Sequence, residues 1–415
     1  MDLGRKLDGT PNKERFTDEE ANHRLMNPRE RLLSVMRGEP TDRVPVTLFI
    51  QDQGHFLTQV YPDLDPWDAL TLQQKVIEIQ RQFGADVFVR VLFGLNDPLS
   101  IHMGGLNVSR QTDSWEVRTE EQRRGNTVVQ CSTIRTPGGT LTQEFSRTEL
   151  RPGTFVYACT RKPVQTPADL ELAIRYEPGM PDDFPGRARR QVQELKRYLG
   201  DDGILGSWSP HLPFNNASLL IDQEQLYSLF LTDLSFYDRL MEFAMNRILD
   251  YARAMDAAGV DVHCVGGNVP GGFLGRRCYD QFVLPYEKRY IEFLQQNGTP
   301  AMYHNCGQVM NLVESYKALG VRIVEPFSPP PLGDADLAQV KEIVGDAYII
   351  LSGVDQVNVL QKGSVDEVKR TTERTMKIGK RGGRFIMQNV DFLEYATPPE
   401  NIEAYVRTAL EHADY

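Results

Sequence analysis

Long apolar runs are missing from this 415-residue chain. No stretch approaches the ~18 uninterrupted apolar residues of a bilayer-spanning helix, so no membrane span is expected. The opening residues, MDLGRKLDGTPNKERFTDEEANHR, lack the apolar centre of a secretory signal, and residues 1–26 read as a polar arm. Positive charge is in deficit: 46 Lys and Arg against 57 Asp and Glu leave a net charge of −11. Such a chain repels phosphate backbones and anionic lipid, so neither nucleic acid nor membrane is an expected partner. Cysteine is scarce and odd in number, with only Cys131, Cys159, Cys264, Cys278 and Cys306. Their irregular spacing argues against a disulfide framework and for reduced thiols in a cytoplasmic setting. Short-period repeats and low-complexity segments are absent, and no Gly-rich dinucleotide fingerprint follows the first strand-like run.

What is present is an alternation of short apolar runs and amphipathic stretches. The runs are 43–50, 86–93, 203–208, 260–265, 300–304, 321–325, 347–352 and 384–389. They are apolar on both faces, as parallel strands covered on both sides must be. Helical patterns follow them: 219–258 ending at Gly259, one opened by the Ser364/Glu367 capping-box spacing, and one opened at Thr397-Pro398-Pro399-Glu400. Eight strand–helix units predict an α/β fold, a (β/α)8 TIM-type barrel over 27–415, with a doubly wound open sheet as the alternative. Residues 107–160 break the rhythm. WEV at 115–117, Gly125-Asn126, TVVQCSTI at 127–134, Pro137-Gly138-Gly139 and TLTQEF at 140–145 predict an inserted antiparallel β-hairpin region that walls the mouth. The charged stretch Glu120-Glu121-Gln122-Arg123-Arg124 reads as a solvated turn.

In such barrels the chemistry gathers at the C-terminal ends of the strands. Those ends carry Arg90 and Phe93, Trp208 and His211, Asn268, His304 and Cys306, Glu325 and Phe327, and Asn389 and Asp391. His304 and Cys306 stand two apart, and at an extended strand end both point the same way. Imidazole and thiolate suit zinc, and a catalytic zinc needs three protein ligands and an open position. His304, Cys306, Asp391 and Glu325 are therefore the candidate metal ligands. The spacing alone equally fits a buried His and Cys with no metal.

Several segments resemble the uroporphyrinogen decarboxylase superfamily, which includes the haem-pathway decarboxylase and corrinoid-linked methyltransferases. They are NPRERLLSVMRGEPTDRVPV at 27–46, FVLPYEKRYIEF at 282–293, YHNCGQ at 303–308, LSGVDQ at 351–356 and GGRFI…TPPENI at 382–402. The resemblance implies a (β/α)8 barrel. The decarboxylase holds a polycarboxylate with arginines after its first strand; IQDQGHFLTQ at 50–59 has none. The methyltransferase branch carries His-x-Cys and a distant Cys. His304 and Cys306 match the pair, and Asp391 stands where the distant Cys is expected.

The resemblance thus implies a methyltransferase of corrinoid-dependent one-carbon metabolism. It would demethylate a small methyl donor, a methoxylated one among the candidates (an O-demethylase), and pass the methyl to a corrinoid protein that carries the cobalamin. Zinc is the implied metal and a homodimer a compatible assembly. His304, Cys306 and Asn268 are the candidate catalytic residues. Arg90, Phe93, Trp208, His211, Phe327 and Asn389 are the candidates for substrate binding. Two alternatives stay open: a metal-independent decarboxylase or lyase with Arg90 on the substrate carboxylate, and a non-catalytic ligand-binding barrel.

Overall fold

Seven of the eight apolar runs form one curled parallel sheet. The computed structural model describes residues 25–51, 55–91, 93, 105–209, 211–267 and 271–415. Nearly all of the expected arm at 1–26, and Asn268, lie outside them. In chain order the strands are β1 (Val87–Val91), β2 (Glu116–Arg124), β3 (Thr127–Thr136), β4 (Gly139–Arg151), β5 (Thr154–Arg161), β6 (Gly203–Trp208), β7 (Val262–Gly267), β8 (Ala301–Asn305), β9 (Ile323–Glu325), β10 (Ile349–Ser352) and β11 (Phe385–Met387). The parallel sheet runs β1-β6-β7-β8-β9-β10-β11, with helices between successive strands, and β2–β5 form a separate antiparallel sheet.

The eighth run is extended but makes only one bridge, Val46 with Met387. Its donors explain this. Pro45 has no N–H, Val46 gives its own to the Asp86 carboxylate, and Phe49 gives its own to Asn389 Oδ1. The segment still lies between the two edges. Thr47 N–H donates to the Met387 carbonyl on one side, and Asp86 N–H donates to the Val46 carbonyl on the other. It closes the curled sheet as an eighth stave.

Alternate residues of these strands face the lumen. Phe88, Ile204, Val262, Met302, Ile323, Ile349, Leu351 and Ile386 fill it together with Leu32, Val35 and Met36 of the helix Pro28–Arg37. Continuing the alternation toward the mouth brings Arg90, Trp208, His304, Glu325 and Gln388 onto the layer above. The 27–46 segment plugs the bottom. Asn27 caps the helix, Arg29 pairs with Asp261, Arg31 with Asp42 and Asp86, and Arg43 with Asp86. Asp86 is fully buried and would be an uncompensated charge without its arginines.

The insertion keeps close to its expected span but holds more strands than the sequence pattern indicates. It holds four strands joined by two-residue turns at Gly125-Asn126, Pro137-Gly138 and Pro152-Gly153. Residues 120–124 are not a turn but most of β2, paired to β3 along its length and exposed except at Val117. Backbone pairing sets this strand, and its charges suit a sheet edge that must not recruit another chain. Trp115, Val117, Ile134 and Leu141 pack into the main buried cluster.

Two helix readings change. The stretch 219–258 breaks twice: the helix Pro213–Leu220 ends inside it, and Gln223–Thr232 ends at Asp233, whose carboxylate accepts the Phe236 N–H and caps Leu234–Ala258. The last helix, Pro399–Glu411, begins after Pro398; the Thr397 hydroxyl donates to the Glu394 carbonyl instead of capping it. Gly259 ends its helix in the left-handed region, and Ser364 caps Val365–Gly379, both as expected.

The helix Leu284–Gln295 braces β8 through Glu287, whose Oε2 accepts from Tyr279 and Tyr303 at 3.1 and 2.7 Å. Its Oε1 is buried with no partner among the described residues, and burial raises the carboxyl to about 7. The folded value lies above the unfolded one, so the associated stability is full below about 4.5 and is lost as pH rises through 7. Glu287→Gln should therefore be the more stable protein at pH 8, by roughly 3 kcal/mol at most, and show no gain at pH 4. Urea unfolding at the two pH values checks this; equal curves at pH 8 would contradict it.

Candidate active site

The strand ends bring three donors together: His304 from β8, Cys306 two residues on, and Asp391 after β11. One ligand atom from each lies within 4.8 Å of the others. The alternation that puts Tyr303 and Asn305 against the helix layer, on Glu287 and Tyr316, turns His304 the other way.

Each donor is held from behind. His304 Nδ1 lies 3.0 Å from Glu325 Oε1. With the proton on Nδ1, Nε2 is left as a lone-pair donor, the tautomer that metal-binding histidines use. Glu325 is itself clamped by Arg90, Nη1 to Oε1 at 2.6 Å and Nη2 to Oε2 at 2.8 Å, and Gln388 Nε2 donates to Oε2 at 3.3 Å. Arg90 is sandwiched between Phe49 and Phe88, 4.3 and 4.5 Å from the ring centres. Asp391 receives the Phe392 N–H on Oδ1 at 2.8 Å and gives its own N–H to Gln356 Oε1. Asn389 ties the Asp391 and Phe49 carbonyls together.

The electrostatics follow from these contacts. Burial alone would raise Glu325, but Arg90 and His304 hold it below its usual value, so it is ionised. Burial alone would depress His304; hydrogen bonds to Cys306 and Glu325 override that and raise it to about 10, so with no metal bound the ring is an imidazolium at neutral pH, and Nε2 becomes a lone-pair donor only when a metal ion displaces its proton. Burial raises Asp391.

A cavity of about 830 Å³ opens above the donors. Arg90, Trp208, His211, His304, Cys306 and Asp391 line it, as do Phe49, Gln51 and Phe392. Trp208 meets the His304 ring edge-on at 5.8 Å. Other candidates lie elsewhere. Phe93 packs behind β1 with Val89, Phe184 and Tyr251, because the residue after a lumen-facing position points outward. Phe327 stacks on Tyr348 in the helix layer, its N–H held by Ser352 Oγ. Asn389 is fully buried in the brace just described. Glu325 stands beside the three donors with both oxygens engaged, so it orients His304 rather than offering a ligand atom. Asn268 falls outside the described residues. Sequence reasoning missed Lys162, which follows β5, and Asn215, Ser218, Asp222 and Gln223 beyond β6. These sit in loops and short helices that no strand-end rule reaches.

The donor set fits a zinc ion: nitrogen, thiolate sulfur and carboxylate oxygen in reach of one point, an ionised carboxylate behind the imidazole, and open space on the fourth side.

Residues 188–412 match the family model described as uroporphyrinogen decarboxylase (URO-D). A methylated-thiol–coenzyme M methyltransferase of Methanosarcina mazei is 24% identical over 223 residues, 53% of this chain and 56% of that protein. A methylcobamide:CoM methyltransferase from the same organism is 22% identical over 170 residues, 40% of this chain and 48% of the relative. The chain thus matches about half the length of these curated relatives. The solved structure of a methyltransferase from Methanosarcina mazei superposes with a TM-score of 0.67 at 18% identity, covering 93% of this chain and 99% of that one, which establishes the shared barrel fold. Among the described residues no helix is long and apolar enough to cross a membrane.

Proposed function

This chain belongs to the uroporphyrinogen decarboxylase (URO-D) family, and from that premise we propose that it is a corrinoid-linked methyltransferase that removes a methyl group from a small donor and delivers it to a corrinoid-carrying partner protein. The observation that carries the reading is the convergence of His304, Cys306 and Asp391 at the floor of an open cavity. His304, Cys306 and Asp391 would hold a zinc ion there, which would supply a Lewis acid for the heteroatom that leaves the methyl group. The relatives named as methyltransferases support the same class of reaction.

The chain's own residues have definable parts. Glu325 fixes the His304 tautomer, and Arg90 keeps Glu325 ionised inside the barrel. Gln356 and the Phe392 N–H hold Asp391 so that one carboxylate oxygen faces the other donors. Phe49, Trp208 and Phe392 line one wall, keep water from the reacting atoms and leave the mouth open to the acceptor. Asp391 in place of a second thiolate gives an oxygen-richer centre, which suits activating an oxygen leaving group more than a thiol acceptor.

The decarboxylase alternative asks Arg90 to grip a substrate carboxylate. That guanidinium already makes two charged hydrogen bonds to Glu325 and one to Gln388, with its side chain 2% exposed. The test is methyl transfer to reduced free cobalamin from a panel of methyl ethers, methylamines and methyl thioethers, followed by absorbance. Donor-dependent consumption of the reduced cobalamin is expected. No consumption with any donor, together with release of carbon dioxide from a small acid, would overturn the proposal.

A further inference from the structure

Methyl transfer from an ether, amine or thioether leaves the bonding pair on the heteroatom, and a proton delivered as that pair localises lowers the barrier. Among the described residues that line the cavity, few are placed to give it. His304, Cys306 and Asp391 are the metal donors, and Arg90 is held by Glu325 and Gln388. Lys162 and Asp222 lie toward the far end of the helix Pro213–Leu220. Both act on the Cys159 thiol, which meets the Leu219 carbonyl. The near end of that helix, at Leu212, is tied to β7, and from Leu212 to Leu219 is about 10 Å along a helix. His211 remains, on the cavity wall beside Leu212. Imidazole is the side chain that most readily gives and regains a proton near neutral pH.

The backbone holds His211 under strain. Its φ is +73°, in the left-handed region that a residue other than glycine seldom occupies. Such strain persists where the surroundings over-determine it, and it gathers at functional sites. Here the surroundings are β7 and the helix Leu284–Gln295. Ser209 N–H donates to the Cys264 carbonyl at 2.7 Å and Leu212 N–H to the Gly266 carbonyl at 3.3 Å, so the chain on both sides of His211 is fastened to the end of β7. The Ser209 hydroxyl donates to the His211 carbonyl at 3.2 Å and lies 2.8 Å from the Tyr290 hydroxyl.

On its other side β7 pairs with β8, with Gly266 opposite His304. One strand therefore separates the two histidines. Their backbones stand roughly 10 Å apart, a gap that one bound molecule can bridge. No side chain of β7 intervenes, because its residues at this level are Gly266 and Gly267. A Cβ on Gly266 would stand 3.1 Å from the Trp208 ring.

Resting on the methyltransferase reading above, we propose that His211 is the general acid of the transfer. The bond from carbon to the heteroatom breaks, and its electron pair stays on the heteroatom, which takes the proton of the His211 imidazolium. The methyl passes as a cation equivalent to the reduced cobalt of the partner's corrinoid, which supplies the new bonding pair. The neutral imidazole then regains a proton from solvent through the open mouth. The strained backbone keeps the ring over the gap that the two glycines leave.

The test compares full-length parent, His211→Gly and His211→Asn in methyl transfer to reduced free cobalamin from anisole, dimethylamine and dimethyl sulfide. Zinc content and thermal unfolding are measured beside the rates. With each donor that the parent uses, both variants should lose about a hundredfold or more in kcat, with KM and zinc content unchanged. Glycine and asparagine both accept a left-handed backbone, so unfolding midpoints at or above the parent's are expected. Added imidazole, which can occupy the space vacated in His211→Gly, should raise that variant's rate about tenfold or more and leave the parent's no faster. Variants within about threefold of the parent rate would overturn the assignment and leave the methyltransferase reading intact, as would a loss that comes with a lowered midpoint and no response to imidazole. A parent that consumes no reduced cobalamin with any of the donors would instead overturn the reading itself, and the assignment with it.

Discussion

His304→Ala and Cys306→Ser, made singly in the full chain, should each lower methyl transfer by roughly a thousandfold or more while the barrel stays folded. A Lewis-acid centre contributes several kcal/mol to the transition state, and about 4 kcal/mol is a factor of a thousand. Neither side chain carries the packing of the barrel. The lumen below them is filled by Phe88, Met302, Ile323 and their neighbours, and the helix layer behind β8 is braced by Tyr303 and Glu287. The measurement is initial rate beside the thermal unfolding midpoint. Variants that retain a tenth or more of parent activity would remove these residues from the chemistry.

Arg90→Ala should cost about 3–5 kcal/mol of stability, because it leaves the Glu325 carboxylate ionised, buried and without its main counter-charge. The paired side chains are 2% and 1% exposed, so solvent screening does little to soften the loss. Removing both charges is a different matter. Arg90→Met with Glu325→Leu should recover most of the stability, since apolar groups of similar size replace a desolvated pair. The same double variant leaves His304 without its orienting acceptor, and its affinity for metal should fall about 10–100-fold. Urea unfolding and metal titration separate the two effects. An Arg90→Ala variant within 1 kcal/mol or so of the parent would show that the clamp is not what keeps Glu325 ionised.

Much of this architecture was legible because parallel strands announce themselves. Seven of the apolar runs became strands within a few residues of their expected bounds. The eighth, 43–50, was correct as a stave and incomplete as a strand, because Pro45 and the Asp86 carboxylate remove ladder bonds. Strand β5 had the same turn signature as its predecessor, Pro152-Gly153, and an alternating burial pattern. What hid β2 was its charge. A strand paired through its backbone at a sheet edge needs no apolar residues, so hydropathy could not find Glu120–Arg124.

The site was half legible. The two-residue spacing of His304 and Cys306 fixes their common direction by strand geometry alone, and Asp391 was reached through family spacing. Whether Glu325 is a ligand or an orienting group was not readable, because that depends on Arg90, 235 residues away and across the lumen. Phe93 and Phe327 were assigned to the mouth by sequence position alone, and the side on which each aromatic packs put them in the helix layer. Lys162 and Asn215 lie beyond the strand ends, where neither periodicity nor motif places a residue.

The most direct test of the centre is the metal content of the purified protein, by elemental analysis, beside His304→Ala, Cys306→Ser and Asp391→Ala. About one zinc per chain in the parent, lost or strongly reduced in each variant, is the expected result for a three-ligand catalytic site. A folded parent without stoichiometric metal, or a metal kept by all three variants, would contradict it.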